Sequence, residues 1–395
     1  MSDFRTGTDG DDILTAGAER AIFLGGAGDD TLTGSPEADL LFGEDGDDSL
    51  AGNAGDDLLD AGDGDDTVNT GVGDDFVLAG GGDDNVGGMA GSDIVLAGGG
   101  NDFVAWNDPD GDEVFGEDGD DTIIGGNVAA DTISGGAGND SVQAFASAPG
   151  DVTAGDVLSG DDGDDEVLGG DAADTISGGS GDDTLTGNGG DDTINTGLGD
   201  DSVLAGDGDD NVGGMAGSDT VYGGSGQDTI AWNDPDGDLV FGEGGNDIII
   251  GGNVAADTIY GGEGDDLIRA FATDPGAATA ADELYGDSGD DVLLGGNAAD
   301  TIEGGGDDDT LTGNGGADTF NFSNGGPTGD DLITDFNRAD DVVVLFGYDE
   351  DFDPLANLSQ TSQGAVLDLG DGDGVVFLGR LVAEFNADDF SIIAG

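Results

Sequence analysis

An aspartate recurs at every ninth residue along much of the chain. A second run with this interval extends from Asp165 to Asp228, and the first contains Asp30, Asp39, Asp48, Asp57, Asp66, Asp75, Asp84, Asp93 and Asp102. Each aspartate is the sixth residue of a unit that reads G-G-x-G-x-D-x-U-x, where U is apolar. Carboxylate and backbone carbonyl oxygens suit Ca²⁺, a hard cation that takes about six to eight oxygens in a tolerant geometry, better than Mg²⁺, which demands strict octahedral ligation. The spacing therefore predicts a row of calcium sites.

The composition excludes several other classes of function. The chain has 395 residues, of which 91 are acidic and 5 are basic, so its formal net charge is -86. Nucleic acids and anionic membranes are bound through Lys and Arg, so neither is an expected partner. The chain contains no His and no Cys, which excludes the usual zinc sites, disulfides and histidine-dependent nucleophiles. The first residues do not resemble a secretory signal peptide, and no apolar run has the length of a membrane helix.

The nine-residue unit predicts one short strand followed by one turn. The D-x-U-x segment is rich in Thr, Val and Ile, which favour strands, and the glycines allow the positive φ of a tight turn. Two units form an 18-residue coil, and such coils are expected to stack about 4.8 Å apart with U pointing inward. The expected fold is all-β, a right-handed parallel β-roll, which is a solenoid of nonapeptide repeats.

Stacking of the coils places each aspartate above another. Two carboxylates at that distance repel by about 1 kcal/mol in water and by several times more near a protein surface. The core is also thin, with one inward aliphatic side chain in nine residues, and small cores often require a metal. Calcium ions between the turns meet both problems, so each unit is interpreted as half of a site that its neighbours complete.

A longer repeat overlies the nine-residue period. AWNDPDGD begins at Ala105 and Ala231, GGNVAADTI at Gly125 and Gly251, and each pair is 126 residues apart. Because 126 is fourteen nines, the duplication preserves the phase of the units. We place the two copies at about 59–184 and 185–310, within a repeat domain of residues 1–318.

The tandem units resemble the RTX (repeats-in-toxin) calcium-binding nonapeptide over roughly residues 7–318, as in GGAGDDTLT from Gly25. The resemblance implies a β-roll with Ca²⁺ between turns on both edges, bound by carbonyls of the glycine-rich loop and by the sixth-position aspartate. Carried onto this sequence, the implied metal ligands are Asp30, Asp48, Asp57, Asp66, Asp75, Asp84, Asp102, Asp121, Asp140, Asp165, Asp183, Asp192, Asp201, Asp210, Asp228, Asp247, Asp266, Asp291 and Asp309.

Some units depart from the pattern. Alanine replaces the third glycine of the loop at Ala129, Ala172, Ala255 and Ala298, so these loops are poorer candidates for ion sites, and Ala21 replaces the aspartate itself. Residues 106–115 and 144–155, with their copies near residues 232 and 270, break the phase and are expected to bulge from the roll. The tryptophan in the first bulge and in its copy could pack within the structure or form a platform for a sugar; packing is the favoured interpretation.

The last part of the chain, residues 319–395, loses the Gly-Asp rhythm. GADTFNF, DLITDF, DLGDGD and ADDFSII resemble the β-rich cap and carboxy-terminal export region of RTX proteins that leave Gram-negative bacteria by type I secretion. The alternative is that this segment only caps the open end of the solenoid, which a stacked roll requires in any case.

These observations lead to one expected function and one alternative. We expect a calcium-binding protein that folds on many Ca²⁺ ions outside the cell, without enzymatic activity, with a structural, surface or adhesive role. Expected partners are calcium, the type I secretion machinery and cell-surface or matrix glycans, without membrane insertion. The alternative is the non-catalytic part of a secreted enzyme or toxin whose active domain lies elsewhere.

Overall fold

The computed structural model describes residues 2–126, 128–145, 154–271, 276, 279–324, 329–370 and 372–394. The chain divides into two compact units, Met1–Leu198 and Gly199–Gly395. Each unit consists of short parallel strands stacked as a β-solenoid. In the part of the chain that the structure describes, no helix is long and apolar enough to cross a membrane. The expectation of an all-β, parallel β-roll is confirmed.

The first unit has two sheets, between which consecutive strands alternate. One sheet contains β1 (Asp3–Thr6), β3 (Ala21–Ala27), β5 (Leu40–Asp45), β7 (Leu58–Asp63), β9 (Phe76–Gly81), β11 (Ile94–Gly99), β13 (Glu113–Asp118), β15 (Thr132–Ala137), β17 (Val157–Asp162), β19 (Thr175–Ser180) and β21 (Thr193–Leu198). The other contains β2 (Ile13–Thr15), β4 (Thr31–Thr33), β6 (Ser49–Ala54), β8 (Thr67–Val72), β10 (Asn85–Ala90), β12 (Phe103–Ala105), β14 (Thr122–Ile124), β16 (Ser141–Gln143), β18 (Glu166–Leu168) and β20 (Thr184–Gly189).

The second unit alternates in the same way. One sheet contains the even-numbered strands except β38: β22 (Ser202–Asp207), β24 (Thr220–Ser225), β26 (Leu239–Gly244), β28 (Thr258–Glu263), β30 (Glu283–Ser288), β32 (Thr301–Gly306), β34 (Thr319–Ser323), β36 (Val342–Phe346) and β40 (Phe390–Ile393). The odd-numbered strands are β23 (Asn211–Ala216), β25 (Thr229–Ala231), β27 (Ile248–Ile250), β29 (Leu267–Arg269), β31 (Val292–Leu294), β33 (Thr310–Thr312), β35 (Asp330–Ile333), β37 (Leu358–Gln360) and β39 (Asp373–Leu378). The strand β38 (Gly364–Gly370) pairs antiparallel with β37 and β39.

Strand β9 shows how the repeat folds. Its side chains alternate, so that Val77 and Ala79 are fully buried while Phe76 points outward, as the pleat of a strand requires. The chain then turns at Gly80 and Gly82, whose φ angles are +118° and +132°. These angles favour glycine because a Cβ atom would clash. The turn delivers the next strand to the opposite sheet.

The coils stack in register. Val77 lies directly opposite Leu59 of β7 on one side and Val95 of β11 on the other. All three side chains are fully buried. The core of the first unit is therefore a file of single aliphatic side chains from each sheet, which makes every coil dependent on its neighbours.

The strands after residue 318 extend the parallel pairing and then change character. Strand β36 pairs parallel with β34 and β40. Phe377 and Phe385 lie 4.8 Å apart between ring centroids, and Phe390 packs 5.8 Å from Phe385. Two short 3-10 helices, Val382–Glu384 and Ala387–Asp389, precede β40. This part of the second unit is thus held together by an aromatic cluster.

Candidate metal centre

A buried row of aspartates follows the turns of each unit. In every implied ligand the aspartate is 1–3% exposed. One carboxylate oxygen, Oδ1, accepts a hydrogen bond from the backbone N–H of the aspartate one coil earlier. The distance from the Asp30 nitrogen to Asp48 Oδ1 is 2.6 Å, and that from the Asp66 nitrogen to Asp84 Oδ1 is 2.7 Å. The repeat thus connects successive coils through their aspartates.

The second carboxylate oxygen, Oδ2, is buried and has no hydrogen-bond partner in most of these aspartates. Burying a charged oxygen without a partner is costly, because the low-dielectric interior disfavours the ion. The implied ligands in which this is seen are Asp30, Asp48, Asp57, Asp66, Asp75, Asp84, Asp102, Asp121, Asp140, Asp165, Asp228, Asp247, Asp266, Asp291 and Asp309. A cation bound beside these oxygens would offset the cost of burying them. The remaining implied ligands, Asp183, Asp192, Asp201 and Asp210, are buried at the same position of their units.

Backbone oxygens converge on the same region of each turn. At Gly43, the first residue of its loop, Asp48 Oδ2 and the carbonyl oxygen of Ala61 both lie 2.2 Å from where a Cβ atom would stand. At Gly116 the corresponding oxygens, of Asp121 and of the next coil, lie at 2.2 and 2.3 Å. Only glycine leaves room for this crowd of oxygens. The loop therefore supplies carbonyl oxygens next to the unpaired carboxylate oxygen.

This donor set fits calcium. Carboxylate and carbonyl oxygens are its preferred ligands. Among the described residues, no group of three or more acidic side chains is arranged to hold a metal ion by itself. The sixth-position aspartates and the glycine-rich loops would hold the ions, and bound Ca²⁺ would supply positive charge that neutralises the row.

Burial raises the pKa of these carboxyl groups. The pKa of Asp66 and of Asp84 is raised to about 7, and that of Asp291 to about 8, chiefly because desolvation disfavours the charged form. Neighbouring carboxylates raise it further, whereas the hydrogen bond from the preceding coil lowers it. Without a cation, the folded chain therefore retains protons at neutral pH that the unfolded chain releases.

These shifts predict how the metal-free chain responds to pH. Groups whose pKa is raised in the folded state stabilise that state at low pH, and this contribution is lost as the pH rises through about 7. In chelator, we expect β structure to increase as the pH is lowered from 8 toward 4.5. Far-UV circular dichroism measures the change, with sedimentation velocity as the control for aggregation near the pI. Equal β content at both pH values would contradict the prediction.

A second class of loop satisfies its aspartate internally. The backbone N–H of Gly170 donates to Asp174 Oδ2 at 2.7 Å, and that of Gly296 donates to Asp300 Oδ2 at 2.6 Å. Both loops contain an alanine at the third glycine, as does the loop of Asp131, where the distance from Gly126 is 3.1 Å. An internal donor thus meets the carboxylate oxygen in three of the four alanine loops, as their poorer candidacy predicts, whereas Asp257 Oδ2 in the fourth has no hydrogen-bond partner.

The structure also adds aspartates that the sequence did not indicate. Asp112, Asp156 and Asp238 are buried at the same position, each with an unpartnered Oδ2. They were missed because longer loops precede them: Asp93 and Asp112, for example, are 19 residues apart, yet the Asp93 N–H still donates to Asp112 Oδ1. These aspartates are recognised by their pairing with the aspartate of the neighbouring coil, not by a constant nine-residue spacing in the sequence.

The fifth position of the unit forms an outer row. Asp29, Asp47 and Asp65 are exposed, as expected for solvated charges. Their carboxylates nevertheless accept hydrogen bonds from the next coil, since the Asp47 nitrogen lies 3.2 Å from Asp29 Oδ1 and the Asp65 nitrogen 3.0 Å from Asp47 Oδ1. This row runs in the opposite sense to the buried one, and the sequence pattern did not reveal it.

Both tryptophans are buried. Trp106 is 4% and Trp232 5% exposed, and a Cβ atom on Gly126 would lie 3.2 Å from Trp106 Nε1. The packing interpretation is confirmed, and an exposed sugar platform at these residues is excluded. The loop of Trp106 is one residue longer than the repeat, and the expected bulge of residues 106–115 is wrong for residues 113–115, which belong to β13 and pair in register with β11. Of the second expected bulge, residues 146–153 lie outside the described part of the chain, as do residues 272–275 and 277–278 of its copy.

One solved structure is similar to part of this chain. The crystal structure of the extracellular lipase LipA from Serratia marcescens is 23% identical over 60% of this chain and 40% of the lipase chain, with a TM-score of 0.29. This chain therefore corresponds to less than half of that enzyme. Comparison with curated proteins gives no significant match.

The family model of the RTX calcium-binding nonapeptide repeat matches most of the chain. The matched segments are residues 6–41, 24–59, 42–77, 69–104, 107–142, 126–148, 153–176, 168–203, 196–230, 234–255, 252–270, 279–301, 285–320 and 294–328. They coincide with the stacked coils and their buried aspartates. The chain therefore belongs to the family of RTX calcium-binding nonapeptide repeat proteins.

Proposed function

We propose that the protein folds on calcium outside the cell and acts there as a rigid, non-catalytic surface or matrix component. The observation that carries the proposal is the buried row of aspartates, in most of which one carboxylate oxygen has no hydrogen-bond partner and lies next to backbone carbonyl oxygens. Calcium sites of extracellular modules bind with dissociation constants of about 10⁻⁴ to 10⁻³ M. Such sites remain empty at the low free calcium of the bacterial cytosol and fill outside.

Export of an unfolded chain follows from the same calcium dependence. A polyanion that cannot fold in the cytosol is a suitable substrate for a one-step exporter, and calcium-driven folding outside would prevent it from sliding back. The proposed export information lies in the segment that ends with DDFSIIAG, and the proposed exporter is of the type I class of Gram-negative bacteria. Surface or matrix glycans are the proposed ligands of an adhesive role.

Deletion of residues 388–395 tests the export proposal. The deletion removes β40, and we expect calcium-induced folding of the first unit to remain while secretion by cells with a type I exporter is lost. Secreted and retained protein are measured by immunoblot, and folding of the purified chain by circular dichroism. Secretion of the shortened chain at the normal level would refute the assignment.

A control separates export from cap stability. Arg338 forms an ion pair with the buried Asp389 at 2.9 Å, so Arg338→Gln weakens the packing of this end and leaves the tail in place. We expect Arg338→Gln to be secreted. If it is retained as strongly as the deletion variant, the segment acts through the stability of the cap alone.

A further inference from the structure

One outer face of the first unit is apolar over five successive strands. We name ten outward side chains, two from the N-terminal half of each of β3, β5, β7, β9 and β11, the apolar strip. They form two columns, and in the first each residue lies opposite the next in register. The first column is Ile22, Leu40, Leu58, Phe76 and Ile94. Phe76 is 37% exposed, so the column contacts solvent although its members also pack on one another.

The second column of the apolar strip contains the only charge on it. This column is Leu24, Phe42, Asp60, Leu78 and Leu96. Burial among the apolar neighbours raises the pKa of Asp60. In a chain with 91 acidic residues, a strip of ten outward positions with one carboxylate is a marked local exception.

The opposite outer face of the same coils is polar. The corresponding first column there consists of Thr31, Ser49, Thr67, Asn85 and Phe103, which are also in register, so four of its five side chains are polar. The strands of both faces are paired with their neighbours, and the side chains of both faces point outward. Stacking of the coils therefore does not require apolar side chains on either outer face. Nothing in the fold requires Ile, Leu and Phe on one face alone, and such a patch is typical of a binding surface.

The chemistry of the strip restricts what it can bind. The backbone groups beneath it are engaged in the parallel ladders, and apart from Asp60 its side chains carry no hydrogen-bonding groups. A partner with polar groups would lose its hydrogen bonds to water without replacement. The net charge of -86 and the acidic loops at both edges repel anionic surfaces. The fitting partner is apolar and uncharged.

The size of the strip argues against a second copy of the chain. Five strands about 4.8 Å apart and two columns about 7 Å apart give a flat area of a few hundred Å² at most. A stable protein pair buries about 800 Å² on each partner. Two copies joined through this face would also bring their acidic loops together. An extended surface does not have this requirement, because it can receive many protein molecules side by side.

We propose that the apolar strip adsorbs the folded protein to an uncharged hydrocarbon surface, such as an alkane or neutral-lipid droplet. The strip exists only when the coils are stacked in register. Adsorption therefore depends on whatever folds the chain, and a chain that does not fold does not adsorb through the strip.

The test uses the full chain and hexadecane droplets in buffered 150 mM NaCl with calcium at a concentration that folds it. Phe76→Ser combined with Ile94→Thr removes apolar area from the strip and introduces the residues that the second copy of the duplication has 126 residues later, Ser202 and Thr220. Phe103→Ser is the matched control, because Phe103 is 41% exposed on the polar face. The amount of protein that floats with the droplets is measured, and circular dichroism confirms the calcium midpoint of each variant.

We expect the strip variant to lose droplet binding several-fold and the control to stay close to the wild type. Equal binding of the strip variant and the wild type would overturn the proposal. A calcium-dependent wild-type dimer that the strip variant dissolves, seen by sedimentation equilibrium, would also overturn it in favour of a second copy. If the strip variant does not fold, Ile22→Thr with Leu40→Thr on the same face takes its place, with the same expected results.

Discussion

In a calcium chelator at neutral pH we expect the chain to be expanded and largely disordered, and we expect millimolar Ca²⁺ to convert it to a compact β-rich protein. The physical reason is the buried row of aspartates, because stacked carboxylates repel one another and most of the implied ligands have an Oδ2 atom without a protein donor. Calcium supplies the missing interaction, and its binding energy becomes folding energy. Far-UV circular dichroism and small-angle scattering, recorded during a calcium titration, measure the transition.

Two controls isolate the role of calcium. NaCl at the same ionic strength as the CaCl₂ solution tests for simple charge screening. We expect the chain to stay expanded in NaCl. Mg²⁺ tests for a general divalent cation, and we expect it to fold the chain less effectively because it demands strict octahedral geometry and gives up water reluctantly. A compact β-rich chain in chelator at neutral pH would refute the calcium-dependent folding on which the proposed function rests.

We expect replacement of Val77 with Asp to disrupt folding more than the loss of any single metal ligand does. Val77 is fully buried between Leu59 and Val95, so Val77→Asp places an unpaired charge in a core that is one side chain wide. Burial of an unpaired charge is among the few single changes that cost about 4 kcal/mol or more. We expect the coils around residue 77 to remain unfolded at calcium concentrations that fold the wild type, as measured by circular dichroism and limited proteolysis.

Two further variants give this prediction its controls. Val72, the last residue of β8, is 61% exposed. Val72→Asp therefore introduces the same charge outside the core, and surface changes of this kind alter stability by about 0.5 kcal/mol or less. Asp75→Asn removes one buried carboxylate and weakens one ion site, with a small shift of the calcium midpoint because coupling in a solenoid is mostly between neighbours. If Val77→Asp behaves like Asp75→Asn, position 77 does not contribute to the core as the structure indicates.

The order of strand, turn and core is determined by the sequence because each depends on local chemistry. Val77 follows Asp75 by two residues and therefore lies on the face of the strand that the alternation of a pleat places inward. Gly80 and Gly82 mark the turn because only residues without a Cβ atom accept their φ angles readily. The choice of calcium also follows from the sequence, since Asp and Gly in fixed register offer only hard oxygen ligands.

Other properties are decided only when coils stack, because residues that meet are about 18 apart and belong to alternate units. The sequence distinguishes the loop of Asp174 by Ala172 in place of the third glycine. Only the structure shows that Gly170 donates to Asp174 Oδ2, whereas Asp84 Oδ2 has no donor and is left for a cation. The apolar strip has the same origin: every second unit contributes to one sheet, so Leu58 and Phe76 adjoin each other while the intervening Thr67 lies on the opposite face. The nine-residue pattern does not distinguish the two sheets, because consecutive units belong to opposite sheets. The stacked structure shows which units share a face.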